Sequence, residues 1–203
     1  MDTFLSKYAI VIQTIYWFAY LQMLWLIFSL AGLVVFGVFP ATYALLSVWK
    51  QESLTSKQTF QIFREVFRRS FFVMNGAGIL YGVMAGLISM NLLFIEAVYI
   101  RLLVLAFLGL IFLSIVHFLQ YFERDKPLIH QVKRAFLLLW MLPKSNVGHM
   151  GVLVGMLLLV AFMPGLALFF GMSAAMFLVN KIGYSKESEQ LQHKLKTHQL
   201  SAT

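Results

Sequence analysis

The stretch FFVMNGAGILYGVMAGLISMNLLFI, Phe71 to Ile95, carries no charged side chain. It exceeds the roughly 20 residues that a helix needs to cross a hydrocarbon core about 30 Å thick. Three further uncharged apolar blocks, Tyr8 to Trp49, Leu102 to Tyr121 and Val147 to Asn180, flank it in the chain. Between them, Lys50 to Ser70, Glu123 to Asn146 and Lys181 to Thr203 hold fourteen of the sixteen Lys and Arg residues. Apolar blocks alternating with basic connections describe an all-α, polytopic helical membrane protein. Retention of positive charge on the inner side places those connections in the cytosol.

Composition supports the same class. Of 203 residues, 61% are hydrophobic and only 12% charged, against about a quarter charged in soluble domains. The net charge of +8 is not a nucleic-acid signal, because the basic residues flank apolar blocks and form no separate module. Orientation and contact with anionic membrane lipids account for it. The chain has no Cys, which removes disulfides, thiol nucleophiles and Cys-based metal sites. Asp2 and Lys7 before a very long apolar stretch read as a retained signal anchor. The expected organisation is one helical membrane domain over residues 1–180 and a basic polar tail over 181–203.

The first block is too long for one span and too short for two. Gly32, Gly37 and Pro40 punctuate it. A helix from about Phe4 to Leu33 is expected to turn near Gly37, and a shorter one to restart at Pro40 with Ala41 and Thr42, a position where the missing N–H of proline costs nothing. The second is a partial, re-entrant segment, with its turn covered by protein. Thr55-x-x-Gln58 has capping-box spacing. Phe60, Phe63 and Phe67 then recur on one face with Arg64 and Arg68 on others, as in an amphipathic helix along the inner interface or one packed on the bundle.

Glu96 to Arg101 is a tight external connection between two spans. Pro127 opens a second amphipathic cytosolic helix with an apolar stripe of Leu128, Ile129, Val132, Phe136 and Leu139, and with Gln131 polar. Pro143 ends it, and Ser145 or Asn146 caps the next helix. Val147 to Asn180 has basic flanks on both sides and Pro164-Gly165 at its middle, so the favoured reading is two short helices that enter and return, against the rival of one strongly tilted, kinked helix with an external tail. Four to six membrane segments result, with cytosolic termini.

Gly78, Gly82 and Gly86 lie four apart on one face, and Gly151 and Gly155 repeat the spacing. Small residues let helix backbones approach where lipid offers no hydrophobic drive. The ladder therefore reads as helix packing within the chain or as docking of a partner. The polar residues inside the blocks are Gln13, Thr14, Gln22, Asn75, Asn91, Ser114, His117, Gln120 and His149. With no acid or base at mid-bilayer, a proton-coupled pump is disfavoured, and His117 reads as a hydrogen-bonded rather than a relay histidine. No phosphate loop, His-Glu-x-x-His or Gly-x-Ser-x-Gly is present. His193 and His198 are too sparse for a metal site. The expectation is a protein that is not an enzyme and takes no cofactor or metal.

Leu21-Gln22-Met23-Leu24-Trp25-Leu26-Ile27-Phe28-Ser29-Leu30, then Gly37 and Phe39-Pro40-Ala41-Thr42-Tyr43-Ala44-Leu45, resembles the amino-terminal signature of the YesL-like integral membrane proteins, a bacterial family of unknown function. The stretch from Phe60 through Phe63, Arg64, Glu65, Phe67, Arg68 and Arg69 to Ser70 is similar to the aromatic and basic run that follows. Gln22 stands where the family more often has Asn, and Ala31-Gly32 where it more often has proline. The resemblance implies a multi-pass protein of a Gram-positive cell membrane, encoded near carbohydrate importers and polysaccharide-degrading enzymes. The reading it supports is an accessory subunit of an ATP-driven (ABC) oligosaccharide importer, with membrane lipids and importer permease subunits as partners and no nucleic acid. The alternatives are a stand-alone small-solute transporter or channel, and a structural or lipid-organising protein.

Overall fold

A computed structural model describes residues 2–51 and 54–183. The described residues form helices and connections without strands: α1 (Asp2–Ala31), α2 (Val38–Trp49), α3 (Ser56–Phe94), α4 (Val98–Gln120), α5 (Leu128–Met141), α6 (Pro143–Phe162) and α7 (Pro164–Gly183). Five of them, all but α2 and α5, are long and apolar enough to cross a membrane. The chain is a polytopic helical membrane protein. Its basic tail beyond residue 183, with His193 and His198, lies outside the described residues.

The described residues form two compact units, one within 2–75 and 153–177, the other within 76–152 and 178–183. In the first, α1 and α2 form an antiparallel hairpin. Trp25 Nε1 donates to Thr42 Oγ1 (3.0 Å), and Phe18 meets Trp49 with ring centroids 5.0 Å apart. The turn spans residues 32–37. α2 starts at Val38 rather than Pro40, which falls within its first turn, where a missing N–H is still tolerated. A Cβ on Gly37 would strike the Ser29 backbone and one on Gly32 the Gly37 Cα, so the two arms close only with glycine at both places.

Leu33 and Val34 hold positive φ angles of 59° and 61°. For non-glycine residues, above all a β-branched one, that conformation costs on the order of 1–3 kcal/mol. The expectation that protein covers this turn is not met: Leu33 is 79% and Val35 77% exposed. Much of its backbone is satisfied internally instead: of the seven amides from Gly32 to Val38, all but that of Phe36 donate to carbonyls of the same segment.

α3 corrects the expectation of a separate helix along the interface. Thr55 and Gln58 form the capping box, with Thr55 N donating to Gln58 Oε1 (3.0 Å) and Gln58 N to Thr55 Oγ1 (3.4 Å). From there one helix of 39 residues runs through the basic segment into the apolar block, about 58 Å at 1.5 Å per residue. Ser70 Oγ donates to Val66 O and Asn75 Nδ2 to Phe71 O, so the polar residues at the junction bond to their own helix and do not break it. Phe63 and Phe67 are buried against Phe28, each with centroids 5.0 Å apart. Of the two readings of this aromatic face, packing on the bundle is the one observed.

In the second unit, Tyr81 ties α3 to α4 through Ser114 (Oη to Oγ 2.9 Å), both residues buried. α5 follows Pro127 as expected, but its buried face is Gln131, Val132, Ala135, Leu138 and Leu139, while Ile129 is 67% exposed. Gln131 is inside because it organises the preceding loop, accepting from Glu123 N (2.8 Å) and donating to Lys126 O (2.8 Å). Lys126 and Arg134 pair with Glu123. Burial raises the Glu123 carboxyl pKa, but those hydrogen bonds and charges outweigh it and hold it below the ordinary value. This contribution is present at neutral pH and is lost as pH falls through the depressed pKa.

α6 and α7 break at Met163, and Pro164 takes the first position of α7. The second segment returns along the first: Gly171 faces Met156, and Gly148 faces Ile182 at 3.1 Å from a would-be Cβ. The returning hairpin is thus observed. Ser145 and Asn146 are not caps, because α6 already begins at Pro143.

Candidate functional site

The polar residues flagged inside the apolar blocks divide by what they bond to. Asn75 and Asn91 return to their own helix, Asn91 Nδ2 donating to Leu87 O (3.0 Å). Gln22, Ser114, His117, Gln120 and His149 instead join different helices. Where water is absent, such bonds replace the hydrophobic drive that lipid does not supply.

Gln22, 2% exposed, is the principal polar contact of the first unit. Its Nε2 donates to Leu168 O (2.9 Å) and its Oε1 accepts from Ser173 N (2.9 Å). Leu168 lies within the π-helical stretch Ala167–Gly171 and Ser173 just beyond it; the two are five apart, so the side-chain amide spans a carbonyl and an N–H that one more π-turn would join. Insertion of a side chain into a helix ladder is a recurrent companion of π-bulges. We predict that Gln22→Leu, which keeps the volume but removes both bonds, lowers stability by about 1–2 kcal/mol. A melting temperature in detergent equal to that of the wild type would refute this.

The second unit holds a buried cluster drawn from α4, α5, α6 and α7. His117 Nε2 donates to Asn146 Oδ1 (2.7 Å), and Asn146 Nδ2 donates to Leu139 O (2.6 Å). Gln120 Nε2 donates to Val179 O (2.6 Å) and lies 3.3 Å from His149 Nε2, which must then be the acceptor. The proton of His149 is therefore on Nδ1, directed at Ser145 Oγ (3.5 Å). Both imidazoles are fully buried, and their rings meet edge to face at 5.3 Å. A Cβ on Gly183 would run into the Gln120 amide, so α7 approaches α4 closely there. The two imidazoles, two amides and one hydroxyl bind the helices of this unit together. Among the described residues no three His, Cys, Asp or Glu side chains are grouped to hold a metal ion.

The glycine ladder is not where the chain packs. Around a Cβ placed on Gly82, Gly86, Gly151 or Gly155 no atom lies within 4 Å, and all four residues are exposed. Gly78 is half-buried. Packing within the chain, one of the two readings of this spacing, is thus not observed at those four positions. The close approaches fall instead on Gly32, Gly37, Gly148, Gly171 and Gly183, where no four-residue spacing marks them. Of the residues expected at membrane turns, Gly37, Pro40, Ala41 and Thr42 lie together in the α1–α2 hairpin, whereas Gly165 faces open space.

On α3, Gln61, Arg64, Glu65, Arg68 and Arg69 line an open depression of about 510 Å³. Glu65 pairs with Arg69 at 2.7 Å. Arg64 and Arg68 are exposed and have no ion-pair partner among the described residues. Phe60, 42% exposed, borders the same segment.

Residues 18–92 match the family described as a protein of unknown function, DUF624. The chain is 28% identical over 186 residues to uncharacterized protein YteU of Bacillus subtilis (strain 168), covering 87% of this chain and 83% of that one. It is 29% identical over 192 residues to uncharacterized protein YesL of the same organism, covering 88% and 89%. No solved structure matches the chain.

Proposed function

Starting from a YesL-like membrane protein with a DUF624 region over residues 18–92, we propose that the chain is an accessory membrane subunit of an ATP-driven carbohydrate importer in a Gram-positive cell membrane, its termini on the cytosolic side. The observation that carries this reading is the open glycine face of α3, with that of α6 beside it in kind: Gly82, Gly86, Gly151 and Gly155 are spaced for close helix approach, yet among the described residues no neighbouring helix comes within 4 Å of a Cβ placed on them. The buried polar groups that join helices, at Gln22, Ser114, His117, Gln120 and His149, have partners inside the fold. The open glycine face suits a protein that acts by association. The carbohydrate importer as partner follows from the family resemblance.

A tagged pull-down in mild detergent from cells grown on an inducing oligosaccharide tests the reading. Permease subunits of a carbohydrate importer are expected in the eluate. An intact, folded protein that recovers no importer subunit, while purified proteoliposomes pass oligosaccharide unaided, would replace it with a stand-alone transporter.

A further inference from the structure

We infer that the Leu33–Phe36 turn is seated in the hydrocarbon of the bilayer, so that α1 and α2 form a hairpin ending inside the membrane rather than two spans joined through water. The inference is independent of any importer. Leu33, Val34, Val35 and Phe36 are 79%, 50%, 77% and 46% exposed, and no polar side chain occurs from Leu30 to Ala41. A turn in water has no reason to be this apolar, and hydrocarbon can cover it without a protein partner.

Two backbone features point the same way. Lipid cannot hydrogen-bond the main chain, so any turn within it must satisfy its own polar groups. Here six of the seven amides from Gly32 to Val38 donate to nearby carbonyls at 2.7–3.1 Å, Phe36 being the exception. Positive φ at two successive positions is ordinarily supplied by Gly, Asn or Asp, whose preference in turns carries polarity or exposed backbone. This chain places Leu and Val there, which keeps the tip apolar at the expense of backbone strain.

Length sets the depth. α2 has 12 residues between the turn and Lys50, about 18 Å of helix, against a core of about 30 Å. Phe18 packs on Trp49, which brings Tyr16, Trp17 and Tyr20 of α1 to the same end as Trp49 and Lys50. Trp, Tyr and Lys gather where hydrocarbon meets headgroups. From that girdle α2, at about 18 Å, does not reach the opposite face, and the turn it shares with α1 stops short with it.

The native absence of Cys makes the test direct. Val35→Cys, carrying a nitroxide spin label in proteoliposomes, is compared with Lys57→Cys for collision with oxygen, which concentrates in hydrocarbon, and with a water-soluble nickel chelate. The ratio of oxygen to nickel accessibility is expected to be several-fold higher at Val35. A ratio equal to that at Lys57 would put the tip in water, and low accessibility to both reagents would put it under protein; either overturns the inference. A second arm uses the pair Leu33→Asn and Val34→Asn, which relieves the backbone while adding polarity. Reduced membrane insertion is expected, and a raised melting temperature would contradict a hydrocarbon location.

Discussion

Gly37→Ala is expected to lower stability by about 3 kcal/mol or more, among the largest effects available to a single methyl group in this protein. The added Cβ would lie 2.7 Å from both C and Cα of Ser29, and nearer still to its carbonyl oxygen. These are backbone atoms of α1 and cannot swing aside as a side-chain end can. Relief requires opening the α1–α2 hairpin, which also separates Trp25 from Thr42 and Phe18 from Trp49. Gly165→Ala makes the same chemical change where nothing lies within 4 Å, and it should be neutral. For a chain of this size the difference between the two variants corresponds to roughly 6–12 °C in melting temperature. Equal melting of Gly37→Ala and Gly165→Ala in detergent would show that the hairpin is not closed as described.

What could be read from the sequence follows from the range of each interaction. Helix class and the number of apolar segments depend on local hydropathy, and the Thr55–Gln58 capping box on a three-residue spacing; both are present as expected. The break at Pro164 and its returning helix were legible because proline and flanking charge act locally. The partners of Gln22 are not: they lie 146 and 151 residues away, within and just beyond a π-turn that no residue pattern announces. The same holds for Gln120, whose acceptor is a main-chain carbonyl 59 residues on.

Two expectations fail for a shared cause. With Pro143 read as ending α5, Ser145 or Asn146 reads as a cap, but Asn146 sits within the first turn of α6 and bonds to His117 and Leu139. Gln131 reads as part of the polar side of α5, yet it is buried because its amide completes the loop at Glu123 and Lys126. In both cases the side chain serves backbone or polar groups elsewhere in the fold, a demand that helical periodicity does not register. The glycine spacing shows the converse. Gly82 and Gly86 have the local signature of a contact without the contact, and that mismatch turns attention from the interior to the surface.

Gly82→Leu is accordingly expected to leave folding intact and to abolish association. A Cβ there has no atom of the described residues outside its own helical turn within 4 Å; a leucine keeps the segment apolar for insertion and holds an approaching helix away from the α3 backbone. The decisive measurement is the amount of importer permease recovered with tagged Gly82→Leu relative to wild type, at matched expression and with the melting temperature of each determined in the same detergent. The account predicts unchanged melting and loss of the permease. Unchanged melting with full recovery of the permease would contradict it, because the open glycine face would then play no part in holding a partner.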